Sequence, residues 1–279
     1  MPRPREDELV VSGLRLVGVT EGGVETNLRV PELGVMFDIG MCPPKALGFD
    51  RLLISHGHAD HLGGIHYYLS QRGMRKQKVP TIAAPKALAP QLEQMLELWS
   101  AVEGFDYRYD LRPAGPGDRV ELGRGLTAIA VPTVHRVPSL AWVIERRVNK
   151  LLPAFQGKPN QEIRAAKERG ETITESTDVP LLCVSGDTTI DAFLASPLMR
   201  QVKVLVHECT SWSDTRGVED TRAYGHTHVD EIIEHAERFE GEALVLVHRS
   251  LRHTKAFAEQ VVRERFPASV RDKVFVFGN

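Results

Sequence analysis

The stretch ISHGHADHLGG, residues 54–64, places three histidines and an aspartate within six positions, behind an apolar run and ahead of paired glycines. RLLIS (51–55) reads as a strand, so His56 and His58, two apart in extended chain, point to one side. Asp60 and His61 follow at the start of a helical turn. Gly63 and Gly64 then let the backbone approach a neighbour closely. Imidazole and carboxylate are the usual ligands of hydrolytic zinc. A lone histidine is more often structural, but four such groups on one tight turn would be costly to bury and crowd without a cation between them. The stretch reads as a metal site.

Four ligands exceed what one catalytic ion takes while keeping an open position, so others are expected elsewhere. His135 ends AIAVPTVH, Asp187 ends LLCVSGD and His248 ends ALVLVH, each closing an apolar strand pattern. Together these make five histidines and two aspartates, enough for two metals. Asp187 is suited to bridge with one oxygen on each ion, and Gly186 before it removes a side chain that would crowd the approach.

The rest of the chain sets the frame. Its 279 residues are 42% apolar, ordinary for a soluble globular protein able to bury a sizeable core. Net charge is −2, so no global basic field marks a nucleic-acid binder. Cys42, Cys183 and Cys209 are odd in number and widely spaced, which favours a reducing compartment over a disulfide framework. The amino terminus has no apolar signal region, and no run approaches the roughly 18 apolar residues of a membrane span, so a cytoplasmic protein is expected.

Strands are predicted at 35–40, 51–56, 81–84, 126–133, 140–145, 181–187, 202–208 and 243–248. Helical, core-facing stripes run through Leu88, Leu92, Met95, Leu96, Trp99 and Val102, through Val229 to Phe239, and through Phe257 to Phe266. This mixture predicts a layered α/β domain with helices on both faces of the strands, one domain over residues 1–279. A polar, Pro- and Gly-punctuated segment at about 146–180 reads as an insertion with a short helix around Glu162–Arg169, either a solvated loop or a partner-binding arm.

His56, His58, Asp60 and His61 form an HxHxDH motif, and with His135, Asp187 and His248 in that order the chain resembles the metallo-β-lactamase superfamily. The resemblance implies a four-layer αβ/βα sandwich with the metals at the strand ends. It also implies that His56, His58 and His135 hold one zinc, that Asp60, His61 and His248 hold the other, and that Asp187 bridges. LVHECT (205–210), YGHTH (224–228) and LVLVHRSLRHT (244–254) narrow the match. With FDIGMCP (37–43) and RGMRKQKVPTI (72–82), they resemble ribonuclease Z, the tRNA 3′-endonuclease, in its short, plant-like form. Glu208, His226, His248, Ser250 and Arg252 occupy the family's positions. The resemblance implies two Zn2+ per subunit, precursor tRNA as substrate and a homodimer. HRSLRH replaces the family's usual His-Phe-Ser-x-Arg-Tyr, placing Arg249 and His253 at aromatic positions, and the insertion lacks a long Gly-Pro-rich arm; both differences are expected where RNA is contacted.

The expected chemistry is phosphodiester hydrolysis, with two ions roughly 3.5–4 Å apart supplying charge to a water and to a phosphate oxygen. Asp60 orients that water or takes its proton. His226, held and made more basic by Glu208, protonates the leaving 3′-oxygen. A purely structural role for Glu208 and His226 would have the carboxylate cap the next helix, with Thr227 as its N-cap. Asp38 is expected either to orient a ligand imidazole or to stabilise a turn. RNA contact must be local. Arg72, Arg75, Lys76 and Lys78 are candidates, as are the cations of the insertion, for a ligand read through its backbone. Mn2+ or Fe2+ would also suit His and Asp ligands. The main alternative is a related hydrolase of a small phosphodiester or lactone, marked by a closed apolar pocket rather than a basic groove. A non-catalytic binding module ranks below it.

Overall fold

The structure, a computed structural model, describes residues 5–279. Period-two alternation and β-branched runs build two sheets from strands taken almost in chain order. The first holds β1 (Asp7–Val11), β2 (Leu14–Gly22), β3 (Glu25–Val30), β4 (Val35–Phe37), β5 (Arg51–Leu53), β6 (Thr81–Pro85) and β7 (Asp110–Ala114), neighbours in that sequence. The second takes β8 (Arg119–Gly123), β9 (Leu126–Pro132), β10 (Leu140–Leu151), β11 (Thr174–Val184), β12 (Val204–Glu208) and β13 (Ala243–Val247). The chain then crosses back so that β14 (Arg249–Ser250) pairs with β2, before β15 (Val274–Val276) closes the second sheet beside β13.

The pleat distributes side chains to two faces. Leu53 of β5 and Val204 and Val206 of β12 point into a core shared by both sheets, with Leu16, Leu28, Phe37, Leu126 and Trp142. Leu52 and Ile54 point the other way, onto Leu69 of the helix Ile65–Met74 and Leu92 and Leu96 of the helix Ala89–Glu103. Leu205 likewise faces Phe193, Ile232 and Val261 on the helices outside the second sheet. Helix, sheet, sheet and helix make four layers, the α/β sandwich expected. Trp142, fully buried, ties the sheets together by donating its indole N–H to the Ile54 carbonyl at 2.9 Å.

Register sets the site. β4 to β7 pair in parallel, as do β11, β12, β13 and β15. His56, Asp187 and His248 follow β5, β11 and β13, and Glu208 ends β12, so all emerge at the carboxyl ends of parallel strands, where α/β folds place their ligands.

Three expectations change. The segment 146–180 carries the short helix expected, at Asn160–Glu168, but on a ribbon and not a solvated loop: β10 and β11 continue as a ladder from Trp142↔Val184 out to Leu151↔Thr174. The ribbon satisfies its own backbone hydrogen bonds, which a polar pattern conceals. The stripe at 88–102 is core-facing only at its start, since Trp99 and Val102 are exposed. β1 to β3, β7, β8, β14 and β15 were not anticipated: none carries a long unbroken apolar run, and in β2 and β3 Arg, Thr, Glu, Gly and Asn interrupt the pattern although both strands lie inside the sheet.

Candidate metal centre

After β5 an irregular stretch carries Ser55 and His56 to His58, whose backbone is extended, and the chain then turns into the helix Ala59–Leu62, which presents Asp60 and His61. Close approach makes this turn possible. A Cβ on Gly64 would lie 2.4 Å from the Ile39 carbonyl oxygen and 2.6 Å from the Cys42 nitrogen. Gly186 has φ +60°, and a Cβ there would meet Ser55 Cβ at 2.5 Å. Glycine at 186 therefore lets Asp187 of one sheet reach the histidines of the other.

The side chains converge. His56 Nε2 lies 3.0 Å from His58 Nδ1, which lies 3.3 Å from His135 Nε2. His61 Nε2 lies 3.2 Å from His248 Nε2. Two ligand atoms on one tetrahedral zinc, each about 2.0–2.1 Å from it, stand about 3.3 Å apart, so these spacings are those of a ligand shell. Asp187 sits between the two groups: Oδ2 is 3.6 Å from His56 Nε2 and 4.0 Å from His135 Nε2, and Oδ1 is 3.4 Å from both His61 Nε2 and His248 Nε2. Asp60 Oδ2 stands 3.6 Å from His61 Nε2 and 3.5 Å from His248 Nε2. The donor sets His56–His58–His135–Asp187 and Asp60–His61–His248 each gather within 4.8 Å. Asp187 Oδ1 is buried with no hydrogen-bond donor, a costly state for a carboxylate oxygen that a cation would relieve. The residues present fit a divalent metal centre.

Surrounding groups aim the ligands. Asp38 accepts from Ser55 N and Ser55 Oγ, both at 2.7 Å, and lies 2.8 Å from His61 Nδ1, leaving Nε2 to face Asp187. Asp38 thus serves both the turn and the imidazole. Thr210 Oγ1 lies 3.0 Å from His248 Nδ1, and the His248 backbone, at φ +60°, donates to Thr20 Oγ1. Left-handed backbone at a histidine is strained and holds only where its surroundings impose it. Ser55 and Thr20 were not foreseen; a serine beside HxH is a weak local signal, and Thr20 has none.

Burial, with His61 nearby, drives the His56 pKa well below its ordinary value, and burial lowers that of His135, which favours the neutral, coordinating form of both rings. Burial also disfavours charge on His61, yet Asp187 and Asp38 outweigh it and raise its pKa: the centre draws positive charge. Asp60 and Asp187 are held below the usual carboxylate range by the surrounding histidines, against the opposing effect of burial.

Beside this centre, His226 Nδ1 lies 2.9 Å from Glu208 Oε1. Glu208 is buried and also accepts from Thr188 N, Thr210 N and Thr210 Oγ1 at 3.0, 3.1 and 2.8 Å. Burial opposes protonation of His226, but the charge and hydrogen bond of Glu208 prevail and raise its pKa to about 9. With Nδ1 engaged, Nε2 is the atom available for proton transfer. Thr227 does not cap the following helix; its hydroxyl donates to the Thr188 carbonyl, and His228 caps Val229–His235 in a reciprocal box with Glu231.

The basic candidates fare differently. Arg72 is buried and donates to the carbonyls of Leu47, Phe49 and Lys78, so it is a structural anchor and not a surface cation. Arg75, Lys76 and Lys78 are exposed but precede β6, at the amino ends of the parallel strands and so at the opposite end from the centre, and Lys78 pairs with Asp50 at 2.9 Å. Ser250, whose N–H donates to the Thr210 carbonyl, and exposed Arg252 directly follow His248. Arg249 and His253 are buried, with the Arg249 guanidinium donating to the carbonyls of His253 and Gly278. The departures in HRSLRH therefore anchor the carboxyl terminus instead of meeting RNA.

A two-sheet sandwich with such a centre at its strand ends defines a hydrolase of the metallo-β-lactamase type. A family profile described as "Beta-lactamase superfamily domain" matches residues 43–249. The chain is 34% identical over 275 residues to tRNase Z TRZ1 of Arabidopsis thaliana, covering 97% of each. It is 32% identical over 259 residues to the chloroplastic tRNase Z TRZ2 of the same plant, covering 91% of this chain and 73% of that one. Among solved structures, human tRNase Z, short form, superposes with TM-score 0.62 at 14% identity, over 94% of this chain and 95% of that one, a likeness of fold. The chain belongs to the tRNase Z (ribonuclease Z) family of the β-lactamase superfamily.

Proposed function

We propose that this enzyme is an endoribonuclease that removes 3′ trailers from precursor tRNA, leaving a tRNA 3′-hydroxyl. The observation that carries the reading is the Glu208–His226 pair beside a seven-residue donor cluster, in a chain related along its whole length to a named tRNase Z. Among the described residues, the enclosed cavity at the centre measures only about 20 Å3, too small for a substrate. The larger space beside His135 is an open groove of about 710 Å3 with Lys86 and Arg136 on its walls.

A pair of divalent ions, Zn2+ by donor type with Mn2+ or Fe2+ also suited, would supply Lewis-acid charge to a phosphate oxygen and to the attacking water. His56, His58 and His135 would hold one, Asp60, His61 and His248 the other, and Asp187 both. The chain's own residues do the rest. Asp60, with its carboxylate held ionised, orients the water or takes its proton. His226 carries a proton at Nε2 toward the leaving 3′-oxygen, and Glu208 keeps the ring in place and in its acidic form. Ser250 and Arg252, which follow His248 in the chain, would meet the substrate strand. We place the protein in the cytoplasm and read it as one domain whose 146–180 ribbon is a reduced exosite. A homodimer would cover the exposed Tyr67, Met74, Leu98, Trp99 and Val102; no described helix is long and apolar enough to cross a membrane.

The test is cleavage of a precursor tRNA bearing a 3′ trailer by metal-loaded protein, with Asp60→Ala as control. A metal-dependent cut just past the acceptor stem, leaving a 3′-hydroxyl, supports the reading. An uncut precursor, with a generic phosphodiester hydrolysed by the same preparation, would overturn the substrate and keep the chemistry.

A further inference from the structure

Tyr224 is an aromatic residue left 47% exposed two positions before His226, so their Cα atoms are within about 7 Å. Its ring is flanked by two guanidiniums: Arg216 Cζ lies 4.6 Å from the centroid and Arg136 Cζ 5.7 Å. The ring is held against the centre through Gly225. That residue has φ +78°, its carbonyl lies 2.8 Å from His135 Nδ1, and a Cβ there would meet the same atom at 2.6 Å. Arg136 also lines the open groove, together with His135 and Lys86. A half-exposed ring with cations over it, tied by the chain to both a metal-ligand candidate and the proton donor, is a surface for a stacked base with an adjoining phosphate once a guanidinium swings aside. Nearly half of the ring residue stays exposed, and the hydrolytic chemistry does not use it.

We infer that Tyr224 is a stacking platform for the base of the unpaired nucleotide that carries the leaving 3′-oxygen. The assignment rests on the tRNA-processing reading above. It follows from position: His226 delivers its proton to that oxygen, and Tyr224 shares the His226 loop. The base takes the ring face at the looser contact, Arg136, whose guanidinium turns to the neighbouring phosphate, while Arg216 stays on the ring. The platform orients the substrate next to the scissile bond without reading its sequence, since every base offers a π-face.

The test compares metal-loaded wild type, Tyr224→Leu and Tyr224→Phe on two precursor tRNAs, one intact and one abasic at the nucleotide 5′ to the cut. Thermal midpoint and bound metal are measured for each variant as controls on the fold. On the intact substrate, Tyr224→Leu lowers kcat/KM roughly 5- to 100-fold, and Tyr224→Phe stays within about 3-fold of wild type, the scale of one base–aromatic stack. On the abasic substrate the wild type falls to a similar level and Tyr224→Leu loses nothing further. If Tyr224→Leu costs the same on both substrates, or nothing on either, Tyr224 is not a base platform. If the wild type leaves the intact precursor uncut, the tRNA reading has failed first and takes this inference with it.

Discussion

Asp187 concentrates the energetics of the centre on one side chain. Its two oxygens face two groups of histidines, and Oδ1 has no hydrogen-bond donor. Replacing it with asparagine keeps the shape but removes the charge and one bridging oxygen, so Asp187→Asn should lower bound metal below that of the wild type; elemental analysis after gel filtration reads this directly. Full metal content in the variant would mean that the histidines suffice. His226 makes a contrasting case. It is half-buried beside the centre, and its partner Glu208 accepts from three other groups. His226→Ala should cut turnover by on the order of 10²–10⁴-fold, the usual contribution of a general acid, with RNA affinity little changed. Equal losses in both, measured by single-turnover kinetics and filter binding, would place it in binding instead.

At the level of elements, two segments position the substrate side of the site. The helix Val218–Ala223 leads into Tyr224 and His226, and Arg222 moors it to Asp191 and Glu231, both at 2.6 Å. Burial would raise the Asp191 pKa, but Arg222 and Thr189 outweigh it and hold the carboxyl below its ordinary value. The folded pKa is thus depressed, so this contribution to stability is present above the unfolded value near 3.9 and is lost as pH falls through the folded one. Arg222→Gln should therefore lower the thermal midpoint at pH 7, by a modest amount because the pair is partly exposed, and the gap to wild type should narrow below about pH 4. A gap constant from pH 7 to 3 would exclude the ion pair as its cause. The ribbon of β10 and β11 carries the helix Asn160–Glu168 beyond the last ladder pair, Leu151↔Thr174. Deleting residues 155–170 should weaken tRNA binding while hydrolysis of a small phosphodiester persists; loss of both would make the tip part of the fold.

For the whole molecule, stability resides where the sheets meet. Trp142 is the largest side chain in that interface and donates to the opposite sheet. Trp142→Ala should destabilise by about 3–5 kcal/mol, the range for a large core aromatic, and should loosen the centre as well, since Ile54 is two residues from His56. Denaturant unfolding with parallel metal titration would show both; an unchanged midpoint would mean that the sheets are held elsewhere.

How much of this was legible beforehand divides along a physical line. HxHxDH is local: four ligating groups on one turn carry their meaning in spacing, and apolar runs such as those ending in Asp187 and His248 announce strands buried on both faces. Those patterns are properties of neighbouring residues, so chain chemistry alone conveys them, and with them the layered α/β architecture. What the sequence left open depends on distance through space. His61 and His248 meet across 187 positions because two sheets stack, and Gly186 and Ser55 touch only there. Whether a cation faces solvent is equally non-local: Arg72 and Arg249 read as surface charge, but the fold buries each against carbonyls that no linear pattern pairs with them. The insertion at 146–180 announced its short helix but not the ribbon beneath it, because its polar composition hides a backbone ladder. Spacing along the chain specifies which groups can bind a metal; packing of one sheet on the other decides which of them meet.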